Sequence, residues 1–384
     1  MGDLNKFKNS YWLLKLKEIK HRLTYVTSNE RMAISMERYK KCENKKPIRQ
    51  IKSEIKLCKK YWGCYPLHYF RYDLYRKDKQ LSGKELINYI PEFFFYRIFL
   101  PYHDSNKYAV LIDEKNITEQ IFRSLGINQP KALYKIINNN LYNIEMKNQN
   151  YLDFKLDLEV NKYPKIFVKP SNGQGGNGIY VFHRRNNGIY KTKLEEELNK
   201  EFLDELHKKG DYIFQLAVNQ NKNISSIYPD SVNTFRIATE NKMGSVRILC
   251  ATLRVGKMGN EVDNGSQNGL VLEINIDTGK IKEFAVTEEG EKFYNHSDTG
   301  FEFRNFKIPE WARIKEFTMD SARKLPQFTY LGWDIALGEE GPLAIETNMN
   351  FGLDHYQISI GGLKDIFLID NPDFYWENKG VFGR

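Results

Sequence analysis

Near the start of the chain, apolar side chains return every three or four positions. Phe7, Tyr11 and Leu14, with Trp12, Leu16, Ile19 and Leu23, recur at three and four, with lysines between them. That spacing predicts an amphipathic helix. A second helical run over 48–60 is expected to stop near Gly63 and Pro66. Aromatic residues then crowd 61–72, and again 91–103, written PEFFFYRIFLPYH. Such clusters either stack a flat ligand or, more plainly, pack a core. At 108 the pattern changes. Residues 108–112 read as a strand, Ile117, Ile121, Phe122 and Leu125 as one face of a helix closed by Gly126 and Pro130, and the asparagine-rich 138–150 as a surface loop.

Two β-rich runs, Ile166-Phe167-Val168 and Ile179-Tyr180-Val181-Phe182, flank a loop carrying Gly173, Gly175, Gly176 and Gly178. This reads as a hairpin able to bend over a ligand. Leu194, Leu198, Phe202 and Leu206, spaced by four and followed by Gly210, predict a helix, and 212–219 a strand. Runs at 231–240, 245–256, 270–277 and 280–286, separated by turn residues, predict a largely antiparallel sheet. A helix over 309–325 turns Ile314, Phe317 and Leu325 inward, and a last hairpin over 330–350 turns at 338–341.

The composition of the 384 residues, 41% hydrophobic and 14% aromatic, is that of a globular chain of two or three domains. The formal charge of +9 suits an anionic ligand without choosing among nucleotide, sugar phosphate, lipid surface and nucleic acid. Dispersed basic residues and the lack of a recognition motif argue against nucleic acid. Cys42, Cys58, Cys64 and Cys250 show neither C-x-x-C nor zinc spacing, which fits a reduced interior. With no apolar run of transmembrane or signal-peptide length, a soluble cytoplasmic protein is expected. Its basic N-terminal helix either packs as an ordinary surface helix or visits the inner face of the membrane.

The glycine hairpin carries the first chemistry. Backbone N–H groups without a neighbouring Cβ can turn toward an anion, and Lys169 adds a fixed charge beside them, so a phosphate is the expected guest. The G-x-G-x-x-G match over 173–178 is not a dinucleotide fingerprint, because a strand rather than a helix follows, and no Gly-Lys-Ser/Thr closes a Walker A loop. Asp113 and Lys115 stand at the start of a helix, where ligand contacts are common in α/β sheets. The last hairpin carries the second chemistry. Glu346 and Asn348, two apart on one strand, share a face of the pleat, and the turn brings Asp334 close. Three hard oxygen donors suit Mg²⁺ or Mn²⁺.

In this order the pieces resemble the ATP-grasp superfamily: DEK at 113–115, FVKP before the glycine hairpin, QLAV as an adenine hinge, NTFRI and TLRVG as arginine-bearing strands, and the D…E-x-N set. SVNTFRIAT, VDNGSQNGL and ETNMNFGLDHYQISIGGL resemble its sugar-transfer-associated subgroup, found with polysaccharide biosynthesis. The resemblance implies an α+β fold in which two subdomains grip ATP between antiparallel sheets, behind an N-terminal helical extension. The implied division is extension 1–105, N-terminal α/β part 106–163, glycine-hairpin lid 164–218 and catalytic, metal-binding part 219–384. Lys115, Lys169, Ser171, Gly173, Gly175, Gly176 and Gly178 would contact the phosphates, and the backbones of Gln215 and Ala217 the adenine edge. Arg236 and Arg254 would neutralise the transferring γ-phosphate, and Asp334, Glu346 and Asn348 would hold two Mg²⁺ ions. Many members carry a second lysine where this chain has Gln120, and an acid for the ribose where it has Asn219 or Gln220. Substrate recognition is expected from Asn264, His355 and Gln357.

The activity so implied is ATP-dependent carboxylate–amine ligation through an acyl phosphate, in making or modifying a cell-surface polysaccharide. Its partners would be a small-molecule or glycan-linked carboxylate and an amine. A small-molecule kinase and a silent nucleotide-binding module of a glycan-assembly complex are the alternatives.

Overall fold

The computed structural model describes residues 2–173, 177–261 and 269–378. Helices span Gly2–Ser28, Glu30–Lys41 and Ile48–Trp62. The side chain of Asn29 accepts the Met32 N–H to start the second, and Gly63, at a φ of +68°, closes the third. The aromatic segments form short helical turns, and Trp62, Tyr69, Phe94, Phe95 and Phe99 are fully buried. They share one core with Phe351, Tyr356, Phe367 and Trp376 from the far end of the chain, so packing is what these rings do.

Gln357 belongs to that joint. Its Oε1 accepts the Ile90 N–H (2.7 Å), while its Nε2 donates to the Ile90 carbonyl (3.0 Å) and the Tyr72 hydroxyl (3.3 Å). With its polar atoms spent and the residue buried, it clasps the extension to the helix Leu353–Ile360 rather than facing a substrate.

Residues 108–112 are not the expected strand. A helical turn at Val110–Asp113 runs into the helix Lys115–Ser124, for which the Glu114 carboxylate accepts the Ile117 N–H. Only Ile112 of the apolar run is buried, while Val110 is exposed, and so short a run does not distinguish strand from helix.

Six strands form the first sheet: β1 (Ala132–Ile137), β2 (Asn140–Asn143), β3 (Lys165–Pro170), β4 (Tyr180–Arg184), β5 (Tyr190–Lys191) and β6 (Tyr212–Leu216). The order is β2-β1-β6-β3-β4-β5, every pair antiparallel. The expected boundary at 163/164 therefore cuts through one sheet, since β1 pairs with β6. Part of the asparagine-rich loop is a hairpin, because Asn138 and Asn139 both adopt positive φ and make its turn. A helix at Tyr151–Asn161, capped by Asn150, follows. The helix expected from Leu194 begins only at Lys200, where Asn199 caps it; ahead of it the Thr192 hydroxyl accepts from the Leu194 and Glu196 N–H groups in a turn that leaves Leu194 exposed.

The second sheet holds β7 (Thr234–Lys242), β8 (Ser245–Val255), β9 (Leu270–Glu273), β10 (Ala285–Val286), β11 (Lys292–Phe293), β12 (Tyr330–Gly338) and β13 (Gly341–Asn348). Its order is β11-β10-β9-β8-β7-β12-β13. One face, with Phe235, Ile237, Leu253, Trp333 and Ile335, packs with Trp311 and Ile314 of the helix Trp311–Arg323. Alternation then delivers the polar residues between them to the other face.

Candidate active site

That other face is one wall of a cavity of 440 Å³. In register, Asp334 of β12 lies opposite Arg236 of β7 and Glu346 of β13. Arg236 in turn lies opposite Thr252, two residues from Arg254 on β8, and Asn348 is two residues beyond Glu346. Period-two geometry therefore gathers Arg236, Arg254, Asp334, Glu346 and Asn348, all of which line the cavity. The facing wall comes from the first sheet, with Phe167, Lys169, Pro170, Ile179, Gln215 and Leu216.

The Asp334 carboxylate is held as a fork. Arg236 donates from Nε to Oδ1 and from Nη2 to Oδ2, both at 2.7 Å, and Arg254 donates from Nη1 to Oδ2 at 2.9 Å. Burial alone would raise the pKa of this group, but the two guanidinium groups outweigh it and hold the carboxyl well below the usual range. Both of its oxygens are thus already committed. Glu346 is less bound: its Oε1 accepts a 3.3 Å hydrogen bond from Asn348 Nδ2, and its carboxyl group lies within hydrogen-bonding reach of Asp334.

These residues fit a divalent cation. Two carboxyl groups drawn together beside an amide oxygen are a hard donor set, and phosphate oxygens and water complete such sites. Among the described residues no group of three or more His, Cys, Asp or Glu could hold a metal unaided. Glu346 and Asn348 are the freer donors, with Asp334 shared with the arginines.

At the mouth of the hairpin, Lys115 and Lys169 both line the cavity. The Lys115 ammonium donates to the Gly173 carbonyl at 2.5 Å and its N–H to the Ser171 carbonyl, which ties the helix start to the hairpin base. Ser171 serves this joint as well. Fully buried and not part of the cavity lining, its hydroxyl accepts the Asn116 N–H, so the structure gives it a structural rather than a phosphate-binding place. Gly178, at a φ of +72°, lets the loop return. Gly175, Gly176 and Asn264 lie outside the described residues.

At the hinge, Gln215 is buried in β6 and lines the cavity. Ala217 does not line it, and its N–H already donates to the Lys165 carbonyl (3.2 Å), so Leu216 and Val218 are the hinge neighbours that face the space. Asn219 donates to Glu339 Oε2 (2.6 Å), which brings an acid to the hinge from the turn between β12 and β13.

His355 lines the far end. Burial pushes its imidazole down to about 3, against the nearby Asp354, which leaves it neutral, with Nδ1 unpartnered among the described residues. Lining residues that escaped the sequence reading include Arg31, Glu261 and Asp354. Arg31 reaches in from the helix Glu30–Lys41 to bind Glu288 Oε2 (2.6 Å) and Asp354 Oδ2 (3.5 Å). Nothing in the local sequence marks it, because the partners are over 250 residues away. Glu261 takes Lys165 (2.9 Å) and His183 (2.6 Å) from β3 and β4 and so links the second sheet's loop to the lid.

A family model described as sugar-transfer associated ATP-grasp matches residues 97–366. The chain belongs to that family. The two-sheet architecture, with its glycine hairpin and its hairpin of oxygen donors, is the ATP-grasp fold. The helices before residue 97 lie outside the matched span, yet they supply Arg31 to the ATP-grasp cavity.

Similar solved structures include the biotin carboxylase domain of the Hydrogenobacter thermophilus 2-oxoglutarate carboxylase in complex with MgADP, ADP and bicarbonate. It is 12% identical over 71% of this chain and 46% of that one, with a TM-score of 0.40. D-alanine–D-alanine ligase from Bacillus anthracis is 14% identical over 73% and 74%, at 0.38. L-amino acid ligase from Bacillus licheniformis is 15% identical over 70% and 48%, at 0.36. The chain spans about half the length of the first of these. No curated relative matches the chain.

Proposed function

We propose that the protein is an ATP-dependent ligase that joins a carboxylate to an amine through an acyl phosphate, in the synthesis or modification of a cell-surface polysaccharide. The observation that carries the reading is the Arg236–Asp334–Arg254 fork beside Glu346 and Asn348, across the cavity from Lys115 and Lys169. A substrate carboxylate oxygen attacks the γ-phosphorus as the bond to the ADP oxygen breaks. The amine nitrogen then attacks the acyl carbon, phosphate leaves, and the nitrogen releases its proton. Charge moves onto phosphate oxygens at both steps, and Arg236 and Arg254 stand ready to meet it, preorganised by Asp334. Mg²⁺ held by Glu346, Asn348 and Asp334 would supply Lewis-acid neutralisation of the phosphates. A carboxylate acceptor needs no general base, unlike a hydroxyl.

Hydroxylamine tests this. When the protein is incubated with ATP, Mg²⁺ and, one at a time, sugar acids and N-acetylated amino acids, with hydroxylamine in place of the amine, ADP, phosphate and a hydroxamate should form in equal amounts with the correct acid. A stable phosphorylated product accompanied by ADP and no hydroxamate would make the protein a kinase; no ATP consumption with any of these acids would favour a silent module.

Lys169→Ala should weaken ATP binding about ten- to a hundredfold, the loss of a charged hydrogen bond worth roughly 1.5–3 kcal/mol. The ATP-induced rise in melting temperature measures it, and an unchanged rise would remove Lys169 from the nucleotide site.

A further inference from the structure

Over residues 11–25 the helix Gly2–Ser28 is covered on one side and solvated on the other. Leu14 and Glu18 are buried, Tyr11 and Tyr25 pack against the aromatic core, and Lys15 donates to the Gly63 carbonyl while lying over the Trp376 ring. On the opposite side Trp12, Leu16, Ile19 and Leu23 are 64%, 63%, 43% and 66% exposed. Their spacing of four, three and four lines them along one track, about 16 Å long at 1.5 Å per residue. Leu13, also exposed, widens it. Single surface leucines are ordinary, whereas a solvated track of four with a tryptophan marks an interaction face.

Charge selects the occupant. The helix carries Lys6, Lys8, Lys15, Lys17, Lys20 and Arg22 against two acids, Asp3 and Glu18, and only Glu18 lies within the span of the track. Glu18 faces inward and accepts the Tyr65 N–H. The apolar track, with exposed Lys17 and Lys20 beside it, thus meets solvent with positive charge alone. We infer that this face docks on an anionic bilayer surface, with the apolar track in the headgroup–acyl boundary and the lysines against lipid phosphates. Among the described residues no helix is long and apolar enough to cross a membrane, so the contact is peripheral.

A second copy of the chain is the competing occupant, because the four-three-four spacing is also that of a coiled-coil seam. Exposed Lys20 and half-buried Arg22 flank that seam, however, and would bring like charges together in a pair of identical helices. A further exposed apolar track, Leu152, Leu156 and Val160, provides an internal control. It alternates with Asp153, Asp157 and Glu159 against a single base, Lys155, so its flank is net acidic.

The test is co-sedimentation of the full chain with vesicles of phosphatidylcholine alone, or of phosphatidylcholine and phosphatidylglycerol in equal parts. Binding is expected to the mixed vesicles and to be at least about tenfold weaker to the neutral ones, since each lysine near an anionic surface adds about fivefold. The double change Leu16→Glu, Leu23→Glu should lose binding by at least about tenfold, while Leu156→Glu should not change it. These leucines are all exposed, so an unchanged melting temperature is expected to accompany each variant. Failure to sediment with the mixed vesicles, or undiminished binding by the double variant, overturns the inference. A dimer by light scattering that the double variant splits, without vesicle binding, gives the face to a second copy. None of these readouts depends on the ligase reading.

Discussion

Glu346→Gln is expected to lower turnover by roughly a thousandfold or more, equivalent to about 4 kcal/mol of barrier, while ATP binding falls far less. Glutamine has nearly the shape of glutamate and can keep both the 3.3 Å contact with Asn348 and a hydrogen bond to Asp334, so the fold has little reason to change. What is lost is the negative charge. Asp334 cannot replace it, because both Asp334 oxygens already accept from arginines. The measurement is ADP release at saturating Mg²⁺ beside a calorimetric ATP affinity. Turnover near the native rate would show that the Glu346 carboxylate is a structural charge.

Much of this site was legible because it rests on strands. Period-two alternation is strict, so Glu346-x-Asn348 had to share a face, and a short turn had to bring Asp334 across from them. The register bears this out, with Asp334 directly opposite Glu346. The glycine hairpin was legible for a similar reason, since two β-branched and aromatic runs bounded by turn residues leave little else to form.

Elsewhere the local signal was too short or came from a distant partner. The run at 108–112 is five residues long, and its helical form follows from the turn and cap around it rather than from its own period. Leu194 matched a spacing of four by coincidence, and the cap at Asn199 was the better signal. Gln357 lies in a segment expected to recognise substrate, but the backbone of Ile90 takes its amide. Arg31 could be found only once the fold had placed the extension beside Asp354 and Glu288. Functional side chains supplied by a partner in space, rather than by a period in sequence, carry no local mark.

Asp334→Ala is expected to destabilise the protein itself, by about 3–5 kcal/mol, seen as a fall of roughly 5 °C in the unfolding transition. The side chains of Arg236 and Arg254 are only 13% and 7% exposed. Without the carboxylate, two guanidinium groups stay in a desolvated wall with their main counter-charge gone. A second change, Arg236→Leu in the Asp334→Ala background, should recover part of the loss by removing one orphaned charge. The pH dependence carries the same signature. A carboxyl whose folded pKa is depressed stabilises the native state fully above its unfolded pKa, about 3.9, and that contribution fades as pH falls below it toward the folded value. The native protein should therefore lose stability steeply below about pH 4, and Asp334→Asn, already without the charge, should show a shallower acid limb. Parallel acid limbs, or an unchanged melting temperature in Asp334→Ala, would mean that the arginines find other anions. The fork would then be a contact of the resting site rather than the charge on which this wall of the sheet depends.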